Sequence, residues 1–517
     1  QAAFERQRLL RIDLAARLSS APNLPDDHPL ARDFLITRTA LRDLITLQTS
    51  GKGHLTLSRV RAHTIDPYAG LWIEGPQTLI RDHIIETPAD AEAYIARMAA
   101  LADGLQDTRR RLLADAATGH LPPRDILAAT REQIERHLAK NAFEAILDTL
   151  ETFSVGLQAD GSSNHEARML TAKQIYETDL LPAYRDLTQS LSELEKQAPI
   201  PLGLWTQPGG VTLYKDLLRV HGDETTSIDT LWPALETALI SLAPDLEQVS
   251  DPAEGTENQA VKLSQTLFTA QQQKQDVTDV TNIAQRLATA TPTTLSRARQ
   301  PLVTSPFLGL HRLTARYDNR RPAILEFDEG RLTALPPSVR AAVLSKPYIE
   351  AKRIFETASE PAANRSIIRA YICDEAFEAA WLSYYQSTRT KNANTGHTDK
   401  TLQLKRLQVA LAQADIGLHA KRWSLDQARD ALIDTTGLSP DLAEEAVLRL
   451  AANPGVAVGT YVHAERFRSL ETRARQVLGP RFDLSSFQTV LLSEGPRPLA
   501  LVERDIETWY ESLIEAP

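Results

Sequence analysis

Apolar residues recur at helical spacing along most of the chain. Leu9, Leu10, Ile12 and Leu14 begin one stripe, and apolar positions from Phe34 to Leu47 continue it, which predicts helix through most of residues 1–60. Ile65 to Gly70 reads as a turn-rich connector. Thr87-Pro88-Ala89-Asp90 then predicts a helix start, with Thr as N-cap, Pro at the first helical position and an acid in the first turn. Ile95, Met98, Ala102 and Leu105 form its apolar stripe, and Gly119 to Arg124 stops it and leads into the next helix. The helical pattern from 165 to 200 breaks at Leu181-Pro182, and Leu202 to Gly210 is a loop.

Residues 223–300 read as polar helices with weak stripes and a loop around Asp251 to Glu257. Pro322 to Asp328, short, apolar and bounded by Pro322 and Gly330, is the strongest strand candidate. Residues 340–387 return to helix, and Asn392 to Thr398 is a polar loop. Ser424-Leu425-Asp426-Gln427 matches a capping box, with Gly437 suited to a left-handed helix end. Ser439-Pro440 opens another helix, Asn453-Pro454-Gly455 is a turn, and the tail from Phe482 to Tyr510 is helical around a Gly495-Pro496 turn. The expected class is mostly α, with one large helical domain over 1–517 around a deep cleft and a small β-sheet. A division into 1–300 and 301–517 is the alternative.

Composition narrows the functional classes. The 517 residues are 42 % hydrophobic and 24 % charged, enough for a large core without disulfides or metal. A formal charge of −10 argues against nucleic acid, which demands a basic face. Cys373 is the one cysteine, so no intrachain disulfide forms. No apolar run approaches the roughly 20 residues that span a bilayer. The chain opens on Gln1 rather than Met, as a mature form that has lost a targeting segment would, or a trimmed one.

Several landmarks share an order. They are Glu86 to Arg97, Leu121-Pro122-Pro123-Arg124, Leu181-Pro182-Ala183-Tyr184, the Gly209-Gly210…Tyr214 loop and Arg321 to Leu325. The C-terminal third adds Asp415-Ile416-Gly417-Leu418-His419, Trp423, Asn453-Pro454-Gly455…Tyr461, Leu478 to Leu484 and Gly495 to Leu499. Together they resemble an uncharacterised bacterial family, domain of unknown function 885, whose members are largely helical, often exported and regarded as zinc peptidases of the gluzincin type. The resemblance implies His-Glu-x-x-Pro-Gly-His followed by Glu-Gly-Trp-Ala-Leu-Tyr. In such a site imidazoles and a carboxylate hold zinc, and the Glu beside the first His is the general base. Laid over that pattern, Phe355 stands at the first His and Glu356 at the base, while Ser359, Glu360 and Pro361 replace Pro, Gly and the second His. Trp381 and Tyr384 match the second segment. Ala379 and Ala380 replace its Glu and Gly, and Phe487-Gln488 stands where the family has Phe-His. A slip of one residue would bring Glu378 to the carboxylate position.

The candidate catalytic residues are therefore Glu356, His419 and Tyr461, and the candidate cleft residues are Trp381, Tyr384 and Asp415. Each has a plain alternative: Glu356 as a surface carboxylate, Asp415 and His419 as a structural pair four residues apart on one helix face, and Tyr461 and the aromatic residues as core. Arg365 and Arg369 stand as fixed cations or surface ion-pair partners, and Cys373 as a core residue between acids. No metal ligand is assigned and no cofactor is expected, although the resemblance implies zinc. The leading expectation is a metal-free, non-catalytic relative of zinc peptidases that binds a peptide-like or small-molecule ligand or a partner protein. An active hydrolase with a rearranged site on Glu356 and His419, and a structural or interaction protein with its cleft filled by side chains, are the alternatives. The resemblance implies a periplasmic or exported location, and the single cysteine is equally compatible with a cytosol.

Overall fold

The computed structural model describes residues 31–50, 61–247 apart from 140, 156 and 158–161, the segments 294–297, 310–313 and 324–327, residues 329–343, six positions between 348 and 355, and residues 375–390 and 398–515, with scattered positions elsewhere. In chain order the helices are α1 (Ala31–Ser50), α2 (Leu71–Gln77), α3 (Pro88–Ala116), α4 (Arg124–Ala139), α5 (Ala145–Ser154), α6 (Ser162–Ile175), α7 (Leu181–Glu195), α8 (Gly210–His221) and α9 (Ile228–Glu247). They continue as α10 (Glu329–Ala334), α11 (Pro337–Val343), α12 (Glu375–Thr390), α13 (Thr398–His419), α14 (Leu425–Thr436), α15 (Pro440–Ala452), α16 (Val456–Leu478), α17 (Leu484–Leu492) and α18 (Leu499–Glu515). The chain is mostly helical, as its periodicity predicts. It gathers into two compact units, the first built on Arg61–Gly210 and the second on Val211–Pro517 with Arg11–Ser50. Residue 300, the alternative boundary, lies outside the described residues.

The first unit follows from its caps. Thr87 accepts a hydrogen bond from the Asp90 amide and Asp90 accepts one from the Thr87 amide, closing the start of α3. Such a cap contributes about 1 kcal/mol. The predicted stripe of Ile95, Met98, Ala102 and Leu105 is buried and extends to Tyr94, Leu101 and Leu112. Tyr184 of α7 stacks on Phe143 at 4.2 Å, and the Tyr94 and Tyr184 hydroxyls donate to the Ile146 and Trp72 carbonyls. At Leu181-Pro182 the helical path continues where the sequence predicts a break. A single π turn, Tyr176–Leu180, joins α6 to α7. Pro182 has no N–H for the carbonyl four residues back, and the wider turn absorbs that loss. The 65–70 connector is held by Asp66, which accepts from the Tyr68 and Ala69 amides and pairs with Arg61 at 3.4 Å.

The second unit is organised by α13, which packs against α9, α11, α12, α14, α15 and α16, and by α12 against α16. Ser424 and Gln427 close the predicted capping box, Gly437 ends α14 at φ 69°, and Ser439 caps α15. The small sheet expected at a cleft edge is not supported as a layer of the fold. What stands there is three four-residue backbone segments, Thr294–Arg297, Ile324–Phe327 and Leu310–Leu313, the middle one running parallel to the first and antiparallel to the last. Their side chains lie outside the described residues. The stripe at Leu9, Ile12 and Leu14, the loop at 251–257 and the polar loop at 392–397 also lie outside them.

Candidate functional site

The Asp-x-Gly-x-His segment forms the last turn of α13. Asp415 is fully buried and accepts the Tyr214 hydroxyl of α8 at 2.9 Å and the Gly455 amide at 2.9 and 3.1 Å, with the Ala457 and Val458 amides also directed at it. Gly455 begins α16 at φ 86° and has no side chain with which to cap it. Asp415 supplies that cap from another helix, placing a carboxyl at the positive end of the α16 dipole. Gly417 is small because Trp423 covers it. A Cβ there would lie 2.3–2.9 Å from the indole carbons. One helical turn beyond Asp415, His419 sits with its ring 4.9 Å from the Tyr214 ring and its Nε2 3.2 Å from the Leu450 carbonyl near the end of α15. The three residues therefore clamp the end of α13 to α8 and to both sides of the Asn453-Pro454-Gly455 turn. Burial pushes the Asp415 carboxyl up to about 7 against the pull of Tyr214 and the amides, and lowers His419 to about 4.

The central segments form a second feature, of apolar character. Phe355 is buried with its ring 6.3 Å from Phe377, which meets Phe467 edge-on at 5.2 Å and His463 at 5.8 Å. Tyr384 continues the series to Phe467 and Phe487, and Trp381 packs on Tyr384 and Tyr385. Trp381, Tyr384 and Tyr385 have no exposed surface, and Trp381 packs against both tyrosines. The polar tips are satisfied inside. The Trp381 indole donates to the Ala351 carbonyl at 2.9 Å, and the Tyr384 hydroxyl donates to Glu471 at 2.7 Å. Glu471 also takes Arg475 at 2.7 Å. Burial, and then the Glu471 charge, hold the Tyr384 phenol far above its ordinary range. Tyr214 and Glu471 are the partners that the sequence reading did not pair with this site. The one signal for Glu471 is its place in the buried stripe of α16 between Phe467 and Ala474.

The remaining candidates fall elsewhere. Glu356, Glu360, Arg365, Arg369 and Cys373 lie outside the described residues. Glu378 pairs with Lys352. Tyr461 is half-buried on α16, its phenol raised by burial and by Glu465, with Arg468 opposing. His463 is buried, and its Nδ1 faces the Gly459 carbonyl at 3.0 Å. Among the described residues no group of three or more His, Cys, Asp or Glu side chains is placed to hold a metal ion. The phenyl ring at the first ligand position offers no lone pair. The described residues therefore do not fit the zinc that the resemblance implies, and no chemistry is derived through it. Nor is any helix among them long and apolar enough to cross a membrane.

Comparison with known proteins places this geometry. No curated protein matches the chain. The crystal structure of a provisionally named lipoprotein from Colwellia psychrerythraea superposes with a TM-score of 0.82 at 18 % identity, covering 98 % of this chain and 91 % of that one. Another provisionally named lipoprotein, of unknown function, from Shewanella oneidensis gives 0.56 at 13 % identity over 97 % and 92 % of the two chains. At such identities the likeness is one of fold. The family described as bacterial protein of unknown function, DUF885, matches residues 1–305 and 396–506, leaving out the span that holds Phe355, Trp381 and Tyr384. With most of its length matched, the Asp415–His419 clamp included, the chain belongs to the DUF885 family.

Proposed function

We propose that this chain is a non-catalytic, metal-free member of its family that acts by binding, on a scaffold shared with exported relatives. The observation that carries the reading is the packing at Phe355. Where the family pattern puts the first imidazole, a buried phenyl ring opens a run of aromatic contacts through Phe377, Phe467 and Tyr384 to Phe487. A reaction centre needs room for water and substrate beside its base. At this place the imidazole is replaced by a phenyl ring, which neither ligates a metal nor carries a proton. His419, the second candidate acid or base, is turned to the Leu450 carbonyl. The occupant of a binding role is a peptide-like or small-molecule ligand or a partner protein. The names of the Colwellia and Shewanella neighbours support an exported location.

The test is metal content of protein purified without a metal-affinity tag, followed by zinc titration and a peptidase assay on a mixed peptide library. The reading expects well below one equivalent of zinc, no saturable binding and no cleavage. The competing reading is an active hydrolase using Glu356 and His419. Cleavage that disappears in Glu356→Gln would establish that reading and end this one.

A further inference from the structure

We infer that folding moves the proton of the Asp-x-Gly-x-His segment from its imidazole to its carboxyl, so that in weakly acidic solution the clamp is buried with both groups uncharged. Among the described residues the hydrogen-bond partners of Asp415 are all neutral: the Tyr214 hydroxyl and the Gly455, Ala457 and Val458 amides. A carboxylate with no exposed surface and no cation beside it carries the full cost of burying its charge, which the hydroxyl and the helix end only partly offset. A protonated carboxyl keeps most of these bonds, because the Tyr214 hydroxyl accepts as readily as it donates. His419, 2 % exposed, needs one N–H for the Leu450 carbonyl, and a neutral imidazole supplies it.

Among the described residues, several charged groups of the surrounding helices pair with other side chains, while Arg406 on α13 keeps its buried Nε without a hydrogen bond and Lys421 lies over Trp232. Glu445 pairs with Arg449 on α15, Arg429 with Asp426 and Asp430 on α14, Arg219 of α8 with Asp43, and Glu378 of α12 with Lys352. On α16, His463 faces Gly459. Tyr214 is held well above its ordinary range by burial and then by Asp415, so it stays a neutral phenol.

The consequence is a compensation. Asp415, raised from 3.8 to about 7, binds a proton in the folded chain that the unfolded chain lacks between those values, so it favours folding as pH falls. His419, lowered from 6.5 to about 4, leaves the unfolded chain holding the extra proton over nearly the same window, so it opposes folding as pH falls. Each alone changes the folding equilibrium by about tenfold per pH unit. Together they cancel.

Urea unfolding of the whole chain from pH 4.5 to 6.5, compared between variants, reads this out. Relative to wild type, Asp415→Asn is expected to lose about tenfold per pH unit as pH falls, and His419→Gln to gain about tenfold. Where a variant does not fold, infrared difference spectra of the wild type between pH 5 and 8.5, with labelled aspartate, are expected to show a protonated buried carboxyl. Nitrogen NMR of histidine at pH 5.5 is expected to show a neutral imidazole for His419. Variant profiles parallel to wild type, a spectrum without a protonated aspartate at pH 5, or imidazolium shifts for His419 would each overturn the inference.

Discussion

Two regions of the second unit bury their side chains by opposite means. Around Asp415 the buried groups are polar, and each is fixed by a partner on another element: Tyr214 on α8, the start of α16, and the end of α15. Around Phe355 and Trp381 the buried groups are mostly aromatic, and among the described residues the indole N–H and the Tyr384 hydroxyl each reach a specific acceptor. A polar clamp depends on direction, because a donor displaced by an ångström is a donor lost. An aromatic cluster depends mainly on volume, with ring geometry adding about 0.5–1.5 kcal/mol per pair. The first region keeps Asp415, Gly417 and His419 together and lies within the family match. The second keeps bulk at Trp381 and Tyr384, and only its Phe355, Phe377, Trp381 and Tyr384 side lies outside the match, with Phe467 and Phe487 inside it.

The largest effect tests the directional half of that contrast. Asp415→Ala removes the acceptor from one hydroxyl and three amides, none of which water reaches at a site with no exposed surface. With about 1–3 kcal/mol for each buried donor left without a partner, and partial relaxation, the loss is expected to be on the order of 4 kcal/mol. Urea unfolding at pH 7 measures it. A loss under about 1 kcal/mol would mean the carboxyl is not what holds the start of α16.

Trp381 tests the volumetric half. Trp381→Ala empties a fully buried site, and the expected cost is about 3–5 kcal/mol. Trp381→Phe keeps a ring against Tyr384 and Tyr385 and gives up the hydrogen bond to Ala351, for about 1–2 kcal/mol. The contrast is sharpened by comparing Trp381→Phe with Asp415→Asn in the same assay at pH 7. If shape-retaining changes cost the same in both regions, the distinction between them fails.

The sequence makes the helices legible because their ends are chemically marked. Thr87, Ser424 and Ser439 bond the amides that any helix start leaves open, so their positions follow from local chemistry alone. The Asp415–Gly417–His419 spacing is legible too, as three residues in one helical turn. What they bind is not. Tyr214 lies 201 positions from Asp415 in the chain, Gly455 lies 40 away, and no local pattern encodes which distant donor will arrive. Trp381 and Tyr384 read more readily as core than as cleft, yet an aromatic stripe on a helix looks the same whether the next element leaves a gap or fills it. Pro182 misleads for a local reason, because a missing N–H predicts a break and a π turn repairs it without one.

Tyr384→Phe probes the side-chain to side-chain polar tie of the aromatic region, Tyr384 to Glu471. The hydroxyl leaves Glu471, which retains Arg475 as a partner, so the carboxylate is not abandoned in the core. The expected loss is about 1–2 kcal/mol, and because both partners are removed from the balance in Tyr384→Phe with Glu471→Gln, that double variant is expected to be less than additive. Additive losses would mean that the two groups stabilise the unit separately.

Phe355→His carries the smallest stability effect and sets the two regions directly against each other. It places at the first ligand position the imidazole that the family pattern has there, inside surroundings made of Phe377 and its aromatic neighbours. At pH 8 the ring is neutral and fits nearly the same volume, so the cost is expected to be about 1 kcal/mol. Burial lowers the folded-state pKa of such an imidazole below the unfolded value near ~6.5. The unfolded chain then binds the proton first, and stability is lost as pH falls below that value. The wild type lacks this group, so the difference between the two proteins should widen from pH 8 to pH 5. Zinc is expected to leave both proteins unchanged at pH 8, because one imidazole without two further donors does not hold the ion. A zinc-dependent rise in the variant's stability would show that residues beside position 355 complete a ligand set, and would turn the aromatic region from a filled site into a dormant one.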